Sequence, residues 1–154
     1  MNAIDFLKQE HQNAKEKFQE IEHASPSERG ALWEELKPEL KVHEHIEDEF
    51  LYGPLSKEPK AKGTPLADFQ SHQDKDVAEL EQAIAKLEAV DPSTDGWLAQ
   101  LKKINASLAD HIKEEEQDIL PRIPEVWPAA KIEAAGQGMA DEKQRKLKEA
   151  TPAR

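Results

Sequence analysis

The chain has 154 residues, enough for one domain with a real hydrophobic core and too few for two comfortable ones. Its formal net charge of −11 disfavours nucleic acid and anionic membrane surfaces as partners and suits a protein that attracts cations. It has no cysteine, so disulfides, thiolate metal sites and cysteine nucleophiles are excluded.

The opening "MNAIDFLKQEH" has no basic stretch leading into an apolar run, so no signal peptide is expected. No apolar run approaches the roughly 20 residues of a membrane helix, and a cytoplasmic location is the expectation. Periodicity predicts a first helix from about Ala3 to His23, ending before "SPSE". There Ser25 can cap a second helix, with Pro26 at its first position and Glu28 at capping-box spacing. That helix should reach about Tyr52, kinked at Pro38 where a backbone donor is missing. "GPLSKEPKAKGTP" reads as a loop, and Thr64-Pro65 opens a third helix to about Val90. "DPSTDG" breaks it, and a fourth helix runs from about Trp97 to Leu120, stopped near Pro121 and Pro124. Strand signals are nearly absent. The predicted class is all-α: an up-down-up-down four-helix bundle over residues 1–124. The extension 125–154 should carry an additional short C-terminal helix around Ala129 to Lys148, packed across the bundle or frayed, and a loose tail from Thr151 to Arg154.

Each helix has an apolar seam at alternating spacings of three and four. The first is Ile4, Leu7, His11, Ala14, Phe18, Ile21; the second is Leu32, Leu36, Leu40, His43, Glu47, Phe50. The fourth is Leu101, Ile104, Leu108, His111, Glu115, Ile119. The third is broader, from Leu66 and Phe69 through Gln73 and Val77 to Leu87, with His72 and Asp76 along one border. A weak repeat links "EHQ" at His11 with "SHQ" at His72, each followed by a helix carrying His-x-x-x-Glu. Four helices thus offer one inward histidine each near mid-length, and two add a glutamate one turn later.

A single histidine on an apolar face is usually a satisfied core residue. Six inward polar groups at matched depth are a different matter. Two isolated glutamates in an apolar core would cost several kcal/mol each or take up protons, and a multivalent cation removes that problem. Four histidines and two glutamates exceed what one tetrahedral ion needs and suit two metals, each held by two histidines with both carboxylates bridging. Nitrogen and oxygen donors without sulfur favour iron, manganese or zinc over copper(I). His23, at a helix end, and His45, off the seam, read as solvated; Trp33, Trp97 and Trp127 read as packing.

The segments "QEHQ" at His11, "HEHIEDEFLYGPL" from His43, "QSHQ" at His72 and "HIKEEEQDILPRI" from His111 resemble the hemerythrin-like, or HHE cation-binding, domain family. "GQGMADEKQRK", from Gly136 to Lys146, also looks like the terminal helix that often follows the bundle there. The resemblance implies a non-haem di-iron centre, oxo- or hydroxo-bridged, with His11, His43, His72 and His111 as terminal ligands and Glu47 and Glu115 as bridges. Oxygen-carrying hemerythrins place another histidine where this chain has Asp76, and an aspartate five residues after the last histidine, where Glu115 here lies four after His111. The site is therefore expected to be more symmetric, closer to the non-carrier proteins of the family. Asp76 is left as a weak ligand or as an acceptor that orients an imidazole.

The leading expectation is a di-iron protein that binds or reacts with a small oxidant: dioxygen, peroxide or nitric oxide. A dry shell would come from residues such as Leu40, Phe50, Leu108 and Ile112. No general acid/base pair beyond the ligands and no Gly-rich cofactor loop is visible. The competing readings are a non-catalytic iron or oxygen sensor or store, and a metal-free acidic adaptor bundle.

Overall fold

The computed structural model describes residues 1–150; the predicted loose tail, Thr151 to Arg154, lies outside the described residues. Five long helices carry the fold: α1 (Ala3–His23), α2 (Arg29–Glu47), α3 (Pro65–Glu88), α4 (Asp95–Glu114) and α5 (Ala129–Ala150). The first four form the bundle, and no strand occurs among the described residues. None of the described helices is long and apolar enough to cross a membrane.

Three starts follow capping chemistry. The side chains of Asn2, Thr64 and Thr94 accept hydrogen bonds from the N–H groups of Asp5, Leu66 and Trp97, at 2.9, 3.2 and 3.3 Å. The second start departs from the predicted capping box. Ser25 accepts the Glu28 N–H through its backbone carbonyl at 2.9 Å, which closes a separate turn, so α2 begins only at Arg29. The helix then runs unbroken past Pro38.

The larger departure lies downstream of the two seam glutamates. After Glu47 the chain widens into a π-helical turn, Asp48–Tyr52, and at Glu115 it does so again, Glu115–Ile119. A π-turn inserts one extra residue into the helical repeat, so everything beyond it rotates relative to the α-helical register. Phe50, the expected seam residue, is consequently only half-buried, while Leu51 and Tyr52 are buried. Short helical turns, Gly53–Ser56, Pro59–Ala61, Leu120–Arg122 and Ile123–Val126, then fold the connections back over that end of the bundle.

The core falls into two clusters with a polar layer between them. One contains Leu7, Ile46, Leu51, Tyr52, Phe69, Ile119 and Leu120; the other contains Phe18, Leu36, Trp33, Leu87, Trp97 and Leu101. The three tryptophans are packing residues, all buried. The C-terminal helix is as long as its neighbours, at 22 residues, and packs against α1 and α2. It docks through Ile132, Gly136 and Met139. A Cβ on Gly136 would overlap the backbone of Met1 to Ala3, and one on Gly138 would press into the Phe50 ring, so both glycines set the approach distance.

Candidate metal centre

The polar layer is assembled from one turn of each of α1, α2 and α4. His11, His43, Glu47 and Glu115 bring one donor atom each within 4.8 Å of one another. The seam spacing explains why: His43 and Glu47, and His111 and Glu115, stand one helical turn apart on the same face. His43 Nε2 lies 3.0 Å from Glu47 Oε1, and His111 Nε2 lies 3.5 Å from Glu115 Oε2. His11 Nε2 lies 3.1 Å from Glu115 Oε1 without hydrogen-bond alignment, and both atoms are left unpartnered, as is Glu47 Oε2. The His11 and His43 rings meet edge to face, with centroids 5.1 Å apart.

All three imidazoles follow one plan. Each turns Nε2 toward the inner carboxylates and Nδ1 toward an outer one. His11 Nδ1 meets Glu116 at 2.7 Å, His111 Nδ1 meets Asp76 at 2.8 Å, and His43 Nδ1 faces Glu10 at 3.7 Å. An outer carboxylate that accepts from Nδ1–H fixes the tautomer whose Nε2 lone pair points inward, as metal-ligating histidines require. Glu10 is itself held by Lys143, which reaches over from α5. Asp76 therefore sits where an imidazole-orienting acceptor belongs.

Electrostatics sharpen the picture. Burial, and then the charge on Glu115, push the Glu47 carboxyl up to about 7. Burial opposes ionisation of Glu115 too, yet Glu47, His11 and His111 beside it outweigh burial and hold it well below the usual carboxylate range. Burial works against the charged form of His111, but Glu115 and Glu47 raise it to about 9. His43 and His11 are also raised against the effect of burial, chiefly by Glu47 and Glu115 respectively. Without a cation, this layer keeps its carboxylates buried only by holding protons.

Two predicted residues stand outside this group of four: His111, which meets it through Glu115 at 3.5 Å, and His72, which is exposed. On α3 the inward position belongs to its neighbour Gln73, buried with its Oε1 unpartnered. His72 instead stacks on Phe69 at 6.0 Å, and Phe69 in turn packs against Tyr52 at 5.0 Å. Tyr52 is the residue that sequence reasoning missed. Its hydroxyl, buried, donates to Glu115 Oε2, and burial with the nearby Glu115 charge keeps the phenol protonated well past its ordinary range. The signal lay in the two matching acid-rich segments, which both widen after their glutamate. His23 and His45 lie outside the group. His45 bonds Glu49 and Glu142, and Arg145 also donates to Glu142, which fastens α5 to the turn after α2.

A cavity of about 470 Å³ adjoins the layer on the side of the second apolar cluster, lined by residues of α1 to α4 including His11, His43, Glu47, Gln73 and His111.

Fold and site together define a helical-bundle cation-binding domain, with histidine and carboxylate donors converging from several helices. The chain belongs to the hemerythrin HHE cation binding domain family, which matches residues 2–123. Uncharacterized proteins of Mycobacterium tuberculosis and Mycobacterium bovis are each 29% identical to it, over 91% of this chain and 84% of theirs. A hemerythrin HHE cation binding domain-containing protein from Mycobacterium kansasii, known from a crystal structure, superposes with a TM-score of 0.82 at 28% identity. That match covers 100% of this chain and 95% of the other.

Proposed function

We propose that the polar layer holds two iron ions and that the protein binds or reacts with a small oxidant, namely dioxygen, peroxide or nitric oxide. The observation that carries this reading is the set of three imidazoles aimed by outer carboxylates at two buried glutamates, with His11 Nε2, Glu47 Oε2 and Glu115 Oε1 unpartnered. Buried polar atoms of this kind are costly unless something binds them. Donors of nitrogen and oxygen without sulfur fit iron. His11, His43, His111, Glu47 and Glu115 would hold the ions; His72, stacked on Phe69, stands outside this set. Iron held there would supply Lewis acidity and electron transfer.

The chain's own groups do the rest. Glu47, pushed up to about 7 by burial and the charge on Glu115, would hold a cation in its ionised form. Tyr52 holds one oxygen of Glu115 through its O–H, which fixes the carboxylate plane. Glu44, pushed up to about 7 by burial and the charge of Glu81, lines the cavity and can exchange protons near neutral pH beside the site.

The test is anaerobic iron(II) loading followed by rapid mixing with one oxidant at a time. Oxidation of the site at a rate that depends on oxidant concentration supports reactivity. Stable loading with no consumption of any of the three would give the role of sensor or store instead.

A further inference from the structure

The cavity beside the polar layer is far larger than a small oxidant needs. At about 470 Å³ it exceeds more than tenfold the ~30 Å³ that one water claims in the liquid, and it falls in the range of pockets for organic ligands. Its inner wall is apolar and comes from three helices and the facing α3: Phe18 of α1, Leu36 and Leu40 of α2, Val77 and Leu80 of α3, and Leu108 of α4. His11, His43, Glu47 and His111 of the candidate centre line it as well. So does Gln73, only 2% exposed, whose Oε1 has no partner. A buried acceptor without a donor, at the edge of an apolar chamber, calls for a ligand that brings the donor. A carboxylate head is disfavoured, because nine carboxyl side chains line the same cavity against three lysines and three histidines.

We propose that this cavity binds a neutral, largely apolar organic molecule bearing a hydroxyl group, with its body on the Phe18, Leu40 and Leu108 wall and its hydroxyl donating to Gln73 Oε1. The inference goes beyond the small-oxidant reading and stands on the chamber rather than on iron. It gives the site room for an organic molecule next to the place where an oxidant would be handled.

The test uses 2-naphthol, followed by its fluorescence, with the full chain in metal-free and iron-loaded forms. One saturable site is expected in both. Gln73→Leu should weaken binding about fivefold, the loss of one neutral hydrogen bond. Leu108→Trp, which places an indole in the chamber, should abolish it while helix content stays as in the wild type. Val77→Phe, from α3, is the second cavity-filling variant should the first fail to fold. In metal-free protein 2-naphthoate should bind at least tenfold more weakly than 2-naphthol. Absence of saturable binding, or binding unchanged by either filling variant, overturns the proposal. Equal affinity for 2-naphthoate overturns the neutral-hydroxyl assignment. Saturable naphthol binding by a protein that takes up no iron would sustain this proposal and refute the metal reading.

Discussion

The two ends of the bundle use the same four helices to opposite effect. Beyond the polar layer on one side, Leu51 and Tyr52 in the first π-turn and Ile119 in the second lie in the core, short turns cover it, and α5 lies across α1 and α2. On the other side the apolar residues stop short of the layer and leave a cavity. The closed end fixes ligand direction: Tyr52 holds Glu115, and Lys143 of α5 holds Glu10, which faces His43. The open end supplies volume. Such a division sets a donor group held by hydrogen bonds on one side against open volume on the other.

The strongest way to break this comparison is to remove a carboxylate of the layer that divides the two ends. Glu115→Ala should lower iron uptake more than a hundredfold. It should also destabilise the metal-free protein by about 3 kcal/mol, because His11, His111 and Tyr52 lose their common partner in a buried site. Metal analysis and urea denaturation would check the two effects separately. An Ala variant that loads iron like the wild type would remove Glu115 from the donor set.

Gly136→Val attacks the closed end alone. The added side chain meets the backbone of Met1 to Ala3, so α5 must lift away at a cost of about 2 kcal/mol. Hydrogen exchange should then quicken along α5 and the start of α1, and not in the α3–α4 half around Trp97. Uniform quickening would mean that the two ends are not separable in the way described.

Tyr52→Phe is gentler. It keeps the ring against Phe69 and deletes only the hydroxyl on Glu115. Outer partners of metal ligands are worth about tenfold or more in affinity, so iron should pass to a competing chelator about ten times more readily. No change in transfer would confine Tyr52 to packing.

The legible part of the molecule was the part governed by α-helical periodicity. Seams of threes and fours placed His11, Glu47, Gln73 and Glu115 inside, and all four are buried. Tyr52 was missed because that same periodicity, carried across Glu47 unchanged, points to Phe50. A π-turn has no composition signature, although the paired "EDEFLYGPL" and "EEQDILPRI" show where two helices change together. For His72 the repeat and the seam disagreed, and the structure follows the seam: Gln73 faces in and Phe69 takes the space beside Tyr52. The cavity was invisible, because its volume depends on distances between helices that no single helix records. The close approach of α5 at Gly136 and Gly138 was likewise not legible, because it too depends on the distance between helices.

The smallest expected effect concerns pH, and it runs in opposite directions with and without metal. In the metal-free protein His111 is held at about 9, well above the ordinary imidazole value of 6.5. Its contribution is therefore whole below pH 6.5 and lost as pH rises through 9. Glu47, raised from 4.5 to about 7, likewise favours the fold at low pH and loses that advantage by pH 7. Metal-free protein should thus lose stability on going from neutral to pH 9, seen as a falling urea midpoint. Iron-loaded protein should instead weaken toward acid, where protons displace the metal. A metal-free midpoint that climbs over the alkaline interval would contradict the protonated layer described above.

The most direct test of the metal centre is iron content per chain after anaerobic iron(II) loading and desalting, read by mass spectrometry with the optical spectrum of the oxidised and reduced forms. The predicted result is two irons per chain, with near-ultraviolet charge-transfer bands that bleach on reduction. Less than a tenth of an iron per chain, with no such bands, would contradict it and leave His43, Glu47 and Glu115 as a buried, proton-holding network with no cation to serve.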